Sequence, residues 1–132
     1  LAMHAHGSFE VTMNPEPPLF EQGGLTVARA TFDKRFSGPL DATSVVWFTS
    51  VRTPDPAAAA YVAIERIAGT LDGRAGSFVV THHATSTGDG RSLEITIVAG
   101  SGTDALAGIA GRMTIRIEGG RHEYELDYTL PA

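Results

Sequence analysis

Hydrophobic and polar residues alternate most regularly near the C-terminus of the chain. Every second position of residues 121–130 carries a ring or an aliphatic side chain: His122, Tyr124, Leu126, Tyr128 and Leu130. Because successive side chains of a strand point to opposite faces, the pattern predicts a strand with one buried face. Residues 112–118 alternate in the same way, and the intervening Gly119-Gly120 is typical of a tight hairpin turn.

Other parts of the chain also predict strands. Residues 9–13 and 93–97 alternate cleanly, whereas four central segments have apolar or aromatic residues on both faces: 25–36, 40–51, 61–71 and 77–84. Glycine, proline, aspartate and serine between these segments indicate turns. The sequence therefore predicts eight strands.

Residues 61–71 allow two interpretations. Asp55 and Pro56 could begin a helix, since the later apolar residues follow helical spacing. The β-branched residues of the segment and the closely following Asp72-Gly73 turn favour a strand instead.

Eight short strands with tight turns predict an all-β fold, a closed eight-stranded antiparallel barrel that leaves no exposed sheet edge. We expect one domain over residues 3–132, with Leu1 and Ala2 set aside as a tag remnant before Met3. Residues 14–24 contain three prolines, so we expect a loop that cannot pair as a central strand and could lie across a barrel mouth.

The composition indicates a globular protein of 132 residues with 42% hydrophobic residues and a net charge of -5. This balance is too apolar for a disordered chain and too acidic for a general phosphate-backbone binder, so we expect no nucleic-acid partner. The absence of cysteine excludes disulfides and thiolate chemistry. The chain has neither a membrane-spanning apolar run nor a signal-peptide pattern, which predicts a cytoplasmic protein with no membrane partner.

Several runs between His4 and Leu130 carry a family resemblance. They are Gly7-Ser8-Phe9-Glu10-Val11, Tyr61-Val62-Ala63-Ile64-Glu65-Arg66, Gly76-Ser77-Phe78-Val79-Val80-Thr81-His82 and Gly120-Arg121-His122-Glu123-Tyr124, with the connector Ser101-Gly102-Thr103. In these runs the chain resembles an uncharacterised bacterial family whose members adopt an allene oxide cyclase-like β-barrel. The resemblance implies a barrel with a cavity and no particular substrate.

Two common cofactor patterns fail on geometry. Gly100, Gly102 and Ala105 match a dinucleotide fingerprint, but only about seven residues separate Thr103 from the next strand, too few for a parallel crossover. Adjacent His82 and His83 would point to opposite faces of one strand and cannot both line a metal site. We therefore expect neither a metal nor a cofactor.

The candidate site consists of residues with polar or aromatic side chains. Glu65 and His82 are candidate catalytic residues, because buried carboxyl and imidazole groups can act as acid or base. The candidate ligand-binding residues are aromatic: Trp47, Phe78, His122, Tyr124 and Tyr128. Alternatively, these groups satisfy one another in a packed barrel. Trp47 and Phe48 should lie on opposite faces, so we expect one of them to be exposed or to contact another subunit.

Three functions remain open. The preferred one is a barrel that binds a small apolar ligand in an interior, mostly apolar cavity. The first alternative is a cofactor-free isomerase or cyclase, in which Glu65 or His82 handles a proton. The second is a homo-oligomeric scaffold with a filled interior. A continuous cavity lined by Glu65, His82 and Tyr124 would favour the first two, and a solid barrel would favour the third.

Overall fold

The structure, a computed structural model, describes residues 2–132, and within them nine strands and one turn of 3₁₀ helix. The strands are β1 Ala2–Pro15, β2 Phe20–Gln22, β3 Leu25–Ser37, β4 Leu40–Arg52, β5 Ala59–Leu71, β6 Arg74–Thr87, β7 Gly90–Ile97, β8 Ala110–Glu118 and β9 Arg121–Thr129; the helical turn is Asp104–Leu106. Of the two residues set aside from the sequence, Leu1 lies outside the described residues. Ala2 belongs to β1, because it pairs with Thr129.

Eight of these strands form a closed antiparallel barrel. From β3 to β9 each strand pairs with its neighbours in the chain, and β1 pairs with both β9 and β3, which closes the sheet. The predicted eight-stranded barrel is confirmed. So is the strand interpretation of residues 61–71, which lie within β5.

The proline-containing segment 14–24 is not entirely a loop. Pro15 pairs with Ala30 at the end of β1, and β2 pairs with the beginning of β3. Proline is tolerated there because β1 has run past the last β9 pairing, at Phe9, and keeps a neighbour on one side only. Gly24, in the turn after β2, packs so closely against Pro54 of the β4–β5 loop that a Cβ at this position would lie 3.0 Å from Pro54 Cγ. The two loops are therefore in contact at the barrel mouth.

One half of the barrel is filled by side chains. This closed half ends at the β3–β4 and β5–β6 turns and at the connector 98–109. Leu106 and Ile109 of the connector are each 1% exposed and cover the end of the barrel. The largest buried side chains of its core are Phe36, Leu40, Ile67, Leu71, Phe78, Ile95, Tyr124, Leu126 and Tyr128.

The opposite half, toward the β4–β5, β6–β7 and β8–β9 loops, is open. Here β7 and β8 share only two paired positions, Ile95 with Met113 and Thr96 with Arg112. Leu93 and Ile117 occupy inward positions of the alternation, yet they are 43% and 66% exposed. The barrel wall therefore has a gap between these strands in the open half. Among residues 2–132, no helix is long and apolar enough to cross a membrane.

Candidate functional site

Four polar side chains meet inside the barrel where the apolar core ends. We call this group, Lys34, Ser44, Glu65 and His82, the polar cluster. Glu65 Oε1 accepts hydrogen bonds from His82 Nε2 at 2.7 Å and from Lys34 Nζ at 3.3 Å, and its Oε2 accepts one from Ser44 Oγ at 2.6 Å. Each side chain comes from a different strand, from β3 to β6. The cluster therefore ties four consecutive strands to one carboxylate.

The electrostatics of the cluster keep Glu65 ionised. Burial by itself raises the pKa of this carboxyl, but the hydrogen bond from His82, the charge of Lys34 and the hydrogen bond from Ser44 outweigh it and hold the pKa below its usual value. Since a carboxylate only accepts hydrogen bonds, His82 Nε2 carries the proton of this contact. In the neutral ring, Nδ1 then presents a lone pair.

Lys34 has a second favourable contact within the barrel. Its Nζ lies 4.7 Å from the centre of the Phe9 ring, a cation–π distance. The lysine is only 9% exposed and Glu65 is fully buried. A buried charge is tolerated when it is paired and hydrogen-bonded, and this pair meets both conditions.

A cavity of about 750 Å³ occupies the open half. Phe48 and Tyr61 form part of its lining, with their ring centres 4.7 Å apart, and the Tyr61 ring centre is 6.4 Å from that of His82. Burial, followed by the charge of Glu65, raises the pKa of Tyr61, so its hydroxyl is held neutral. The polar cluster thus lies directly beyond the aromatic part of the cavity lining.

Small side chains create much of this space. Six inward positions on β3 to β6 that line the cavity carry alanine or serine: Ala28, Ala30, Ser50, Ala59, Ala84 and Ser86. At the corresponding inward positions of the closed half, the same strands carry phenylalanine, leucine and isoleucine. The cavity therefore results from a decrease in the size of the inward side chains along β3 to β6, from the closed half to the open half.

The polar cluster contains only two of the residues singled out from the sequence. Glu65 and His82 are hydrogen-bonded in the polar cluster. Trp47 is 52% exposed on the outer surface of β4, where it lies opposite Ile64, so it cannot line the interior. Of the neighbours Trp47 and Phe48, Phe48 is the one that points inward, because β4 residues alternate strictly between the two faces.

The other four aromatic candidates do not line the cavity. Phe78 is packed in the core of the closed half, and the His122 ring packs against the Phe9 ring in a tilted arrangement, with the ring centres 5.2 Å apart. The Tyr124 hydroxyl accepts a hydrogen bond from Leu40 N–H and donates to Ser37 O, both at 3.1 Å. The Tyr128 hydroxyl donates to the Asp72 carboxylate. The Tyr124 hydroxyl is therefore hydrogen-bonded to the β3–β4 turn and the Tyr128 hydroxyl to the β5–β6 turn, both at the closed end.

Sequence reasoning missed Lys34, Ser44 and Tyr61. The sequence does contain a signal for the lysine, which stands between Phe32 and Phe36 on the inward alternation of β3. A single charge on an apolar face indicates a buried partner. The signal was hidden because the other face of residues 25–36 is also partly apolar, which left the inward face unassigned.

The polar cluster offers one carboxylate and one imidazole, fewer ligands than metal ions in proteins usually take. Among residues 2–132, no group of three or more histidine, aspartate or glutamate side chains is arranged to hold a metal ion. The chemistry that the arrangement can support is hydrogen bonding and proton transfer by its own side chains.

Comparison with known proteins agrees with the fold. A crystal structure of a protein with unknown function from the DUF3224 family of Shewanella oneidensis MR-1 superposes with a TM-score of 0.94, at 37% sequence identity and with 100% of both chains covered. A search of curated proteins gave no match. The family model described as a protein of unknown function, DUF3224, matches residues 5–128. The chain therefore belongs to the DUF3224 family.

Proposed function

We propose that the protein binds a small, mostly apolar molecule in the open half of the barrel. The observation that carries the proposal is the row of alanine and serine residues at inward positions, which leaves about 750 Å³ unfilled above a well-packed core. Volumes of this size are typical of ligand pockets. A barrel selected only for stability would fill such positions, since each unfilled volume forfeits packing energy.

The lining also fits an apolar molecule of aromatic or aliphatic character. Phe48 and Tyr61 provide ring faces, and Met13 on β1 and Leu93 on β7 provide further apolar contacts. A ligand could enter the cavity through the barrel mouth or through the gap between β7 and β8. The polar cluster lies beyond the Phe48 and Tyr61 rings and is not part of this lining.

Proton transfer by the polar cluster, beside the cavity, is a second candidate function, favoured by the 2.7 Å bond between Glu65 and His82. His82 is 5% exposed, and its only side-chain hydrogen bond among residues 2–132 is made through Nε2. In the neutral ring Nδ1 therefore has a lone pair that is available to accept a proton. With Glu65 fixing the tautomer, Nδ1 would act as the base.

Titration with the neutral fluorescent dye phenylnaphthylamine tests the binding proposal. We expect saturable binding by the wild type and loss of binding in Ala84→Phe and Ala28→Phe, because each new ring occupies the cavity. Ala75→Phe is the matched control, since Ala75 is an exposed position of β6 near the closed end. Equal binding by all four proteins would contradict the proposal.

A further inference from the structure

The mouth of the cavity carries two inward-facing arginines. Arg52 lies opposite Ala59, Ala59 opposite Ser86, and Ser86 opposite Arg91 in the sheet register. These four residues form one row across β4 to β7, and all of them line the cavity. Arg52 and Arg91 therefore flank a small-residue notch, formed by Ala59 and Ser86, at the mouth.

Neither arginine has an ion-pair partner among residues 2–132: the salt bridges there involve neither Arg52 nor Arg91. Arg29, the third arginine of the lining, is paired differently, because its guanidinium lies 3.4 Å from Glu16. Glu21 is the remaining carboxylate of the lining and opposes Thr26. The mouth thus has two cationic groups available against one carboxylate.

This local charge is the reverse of the charge of the whole protein. The chain has 15 acidic and 10 basic side chains, whereas the cavity lining holds three arginines and two glutamates. Arginine presents a planar set of donors that matches the oxygen pairs of carboxylate and phosphate groups. Two unpaired arginines beside an apolar cavity are the arrangement expected for an amphiphile with an anionic end.

We propose that the ligand is an amphiphilic organic anion, whose apolar body occupies the open half and whose carboxylate or phosphate group is bound by Arg52 and Arg91. This inference rests on the proposed function and adds the chemical class of the ligand. It also fixes the orientation: the anionic end lies at the mouth, and the apolar end lies toward Phe48 and Tyr61.

The test compares two dyes that share one aromatic skeleton. Phenylnaphthylamine is neutral, and anilinonaphthalene sulfonate adds one anionic group. We expect the wild type to bind the sulfonate about five-fold more tightly at low salt, the effect of two exposed charge contacts, with the preference falling as salt is added. In the double variant Arg52→Gln/Arg91→Gln the ratio of the two affinities should fall to about one.

Arg112→Gln is the matched control, because Arg112 is an exposed arginine on β8 outside the cavity lining. This variant should keep the wild-type preference. Displacement of the neutral dye by octanoate and octyl phosphate, with octanol as the uncharged reference, identifies which anionic group is preferred.

The outcomes separate the two proposals. Tight binding of the neutral dye with no preference for the sulfonate, or a preference that survives removal of both arginines, would overturn the anionic class and leave the cavity proposal standing. The anionic class would also be overturned if octanol displaced the neutral dye as effectively as octanoate and octyl phosphate do. Binding of neither dye would overturn the proposed function, and this inference with it.

Discussion

Glu65 and His82 are joined by a 2.7 Å hydrogen bond in the middle of the barrel, between a filled half and an open half. Lys34 contacts the same Glu65 oxygen, so the carboxylate has two cationic or potentially cationic neighbours. This relationship makes the centre of the barrel polar without leaving an unpaired charge there. It also makes the stability of the barrel depend on the ionisation of one residue.

Glu65→Gln should destabilise the protein by about 3–5 kcal/mol at neutral pH, because it leaves the buried Lys34 charge uncompensated. The measurement is denaturant unfolding, with Glu125→Gln as the control. Glu125 is an exposed carboxylate of β9, and its replacement should change stability by less than about 0.5 kcal/mol. Lys34→Met added to Glu65→Gln should restore part of the loss, since it removes the uncompensated charge. Equal stability of Glu65→Gln and wild type would contradict this account.

The pH dependence of unfolding should also change in this variant. The folded pKa of Glu65 lies below its unfolded value of 4.5, so the ionised carboxylate contributes stability that is fully present above about pH 4.5. That contribution is lost as the pH falls below this value and through the lower folded pKa. Glu65→Gln has no such group and should lose less stability over the same acid range. Parallel acid profiles would show that Glu65 is not held ionised.

Tyr124→Phe should lower stability by about 1–3 kcal/mol and leave dye binding intact. The hydroxyl accepts from Leu40 N–H and donates to Ser37 O, and its removal leaves these backbone groups without a partner. Binding should be unaffected because the residue lies in the closed half. A melting temperature equal to wild type together with lost dye binding would place Tyr124 in the ligand site instead.

Tyr128 should be resistant to ionisation. Burial, together with the hydrogen bond to Asp72 and the charge of that carboxylate, raises the pKa of Tyr128 to about 12. A raised pKa means that the contribution to stability is complete below pH 10, the unfolded value, and is lost as the pH rises through about 12. Absorbance titration of the wild type against Tyr128→Phe isolates this group. A difference titration centred near pH 10 would contradict the predicted contact.

The fold was predictable because its signal repeats along the chain. Alternation in β8 and β9 and the Gly119-Gly120 turn define a hairpin from local sequence alone, and the structure has that hairpin. Closure requires β1 to pair with β9 and β3, at large sequence separations. The closed barrel was expected because closure leaves no exposed sheet edge, although no local residue pattern specifies this pairing.

The site was predictable only in part. Alternation places Glu65 and His82 on inward faces, but the level of each residue along the barrel axis depends on the stagger between strands. That stagger places Tyr124 and Tyr128 in the closed half and Lys34 beside Glu65. The sequence leaves open which of Trp47 and Phe48 points inward, because β4 has large apolar residues on both faces.

A crystal structure of the protein with bound phenylnaphthylamine would locate the dye and so test whether the open half of the barrel binds a ligand. We expect density for the dye between the Phe48 and Tyr61 rings and the small-residue wall at Ala84. Density for the dye on the outer surface beside Trp47, with the cavity filled by rearranged side chains, would contradict this expectation.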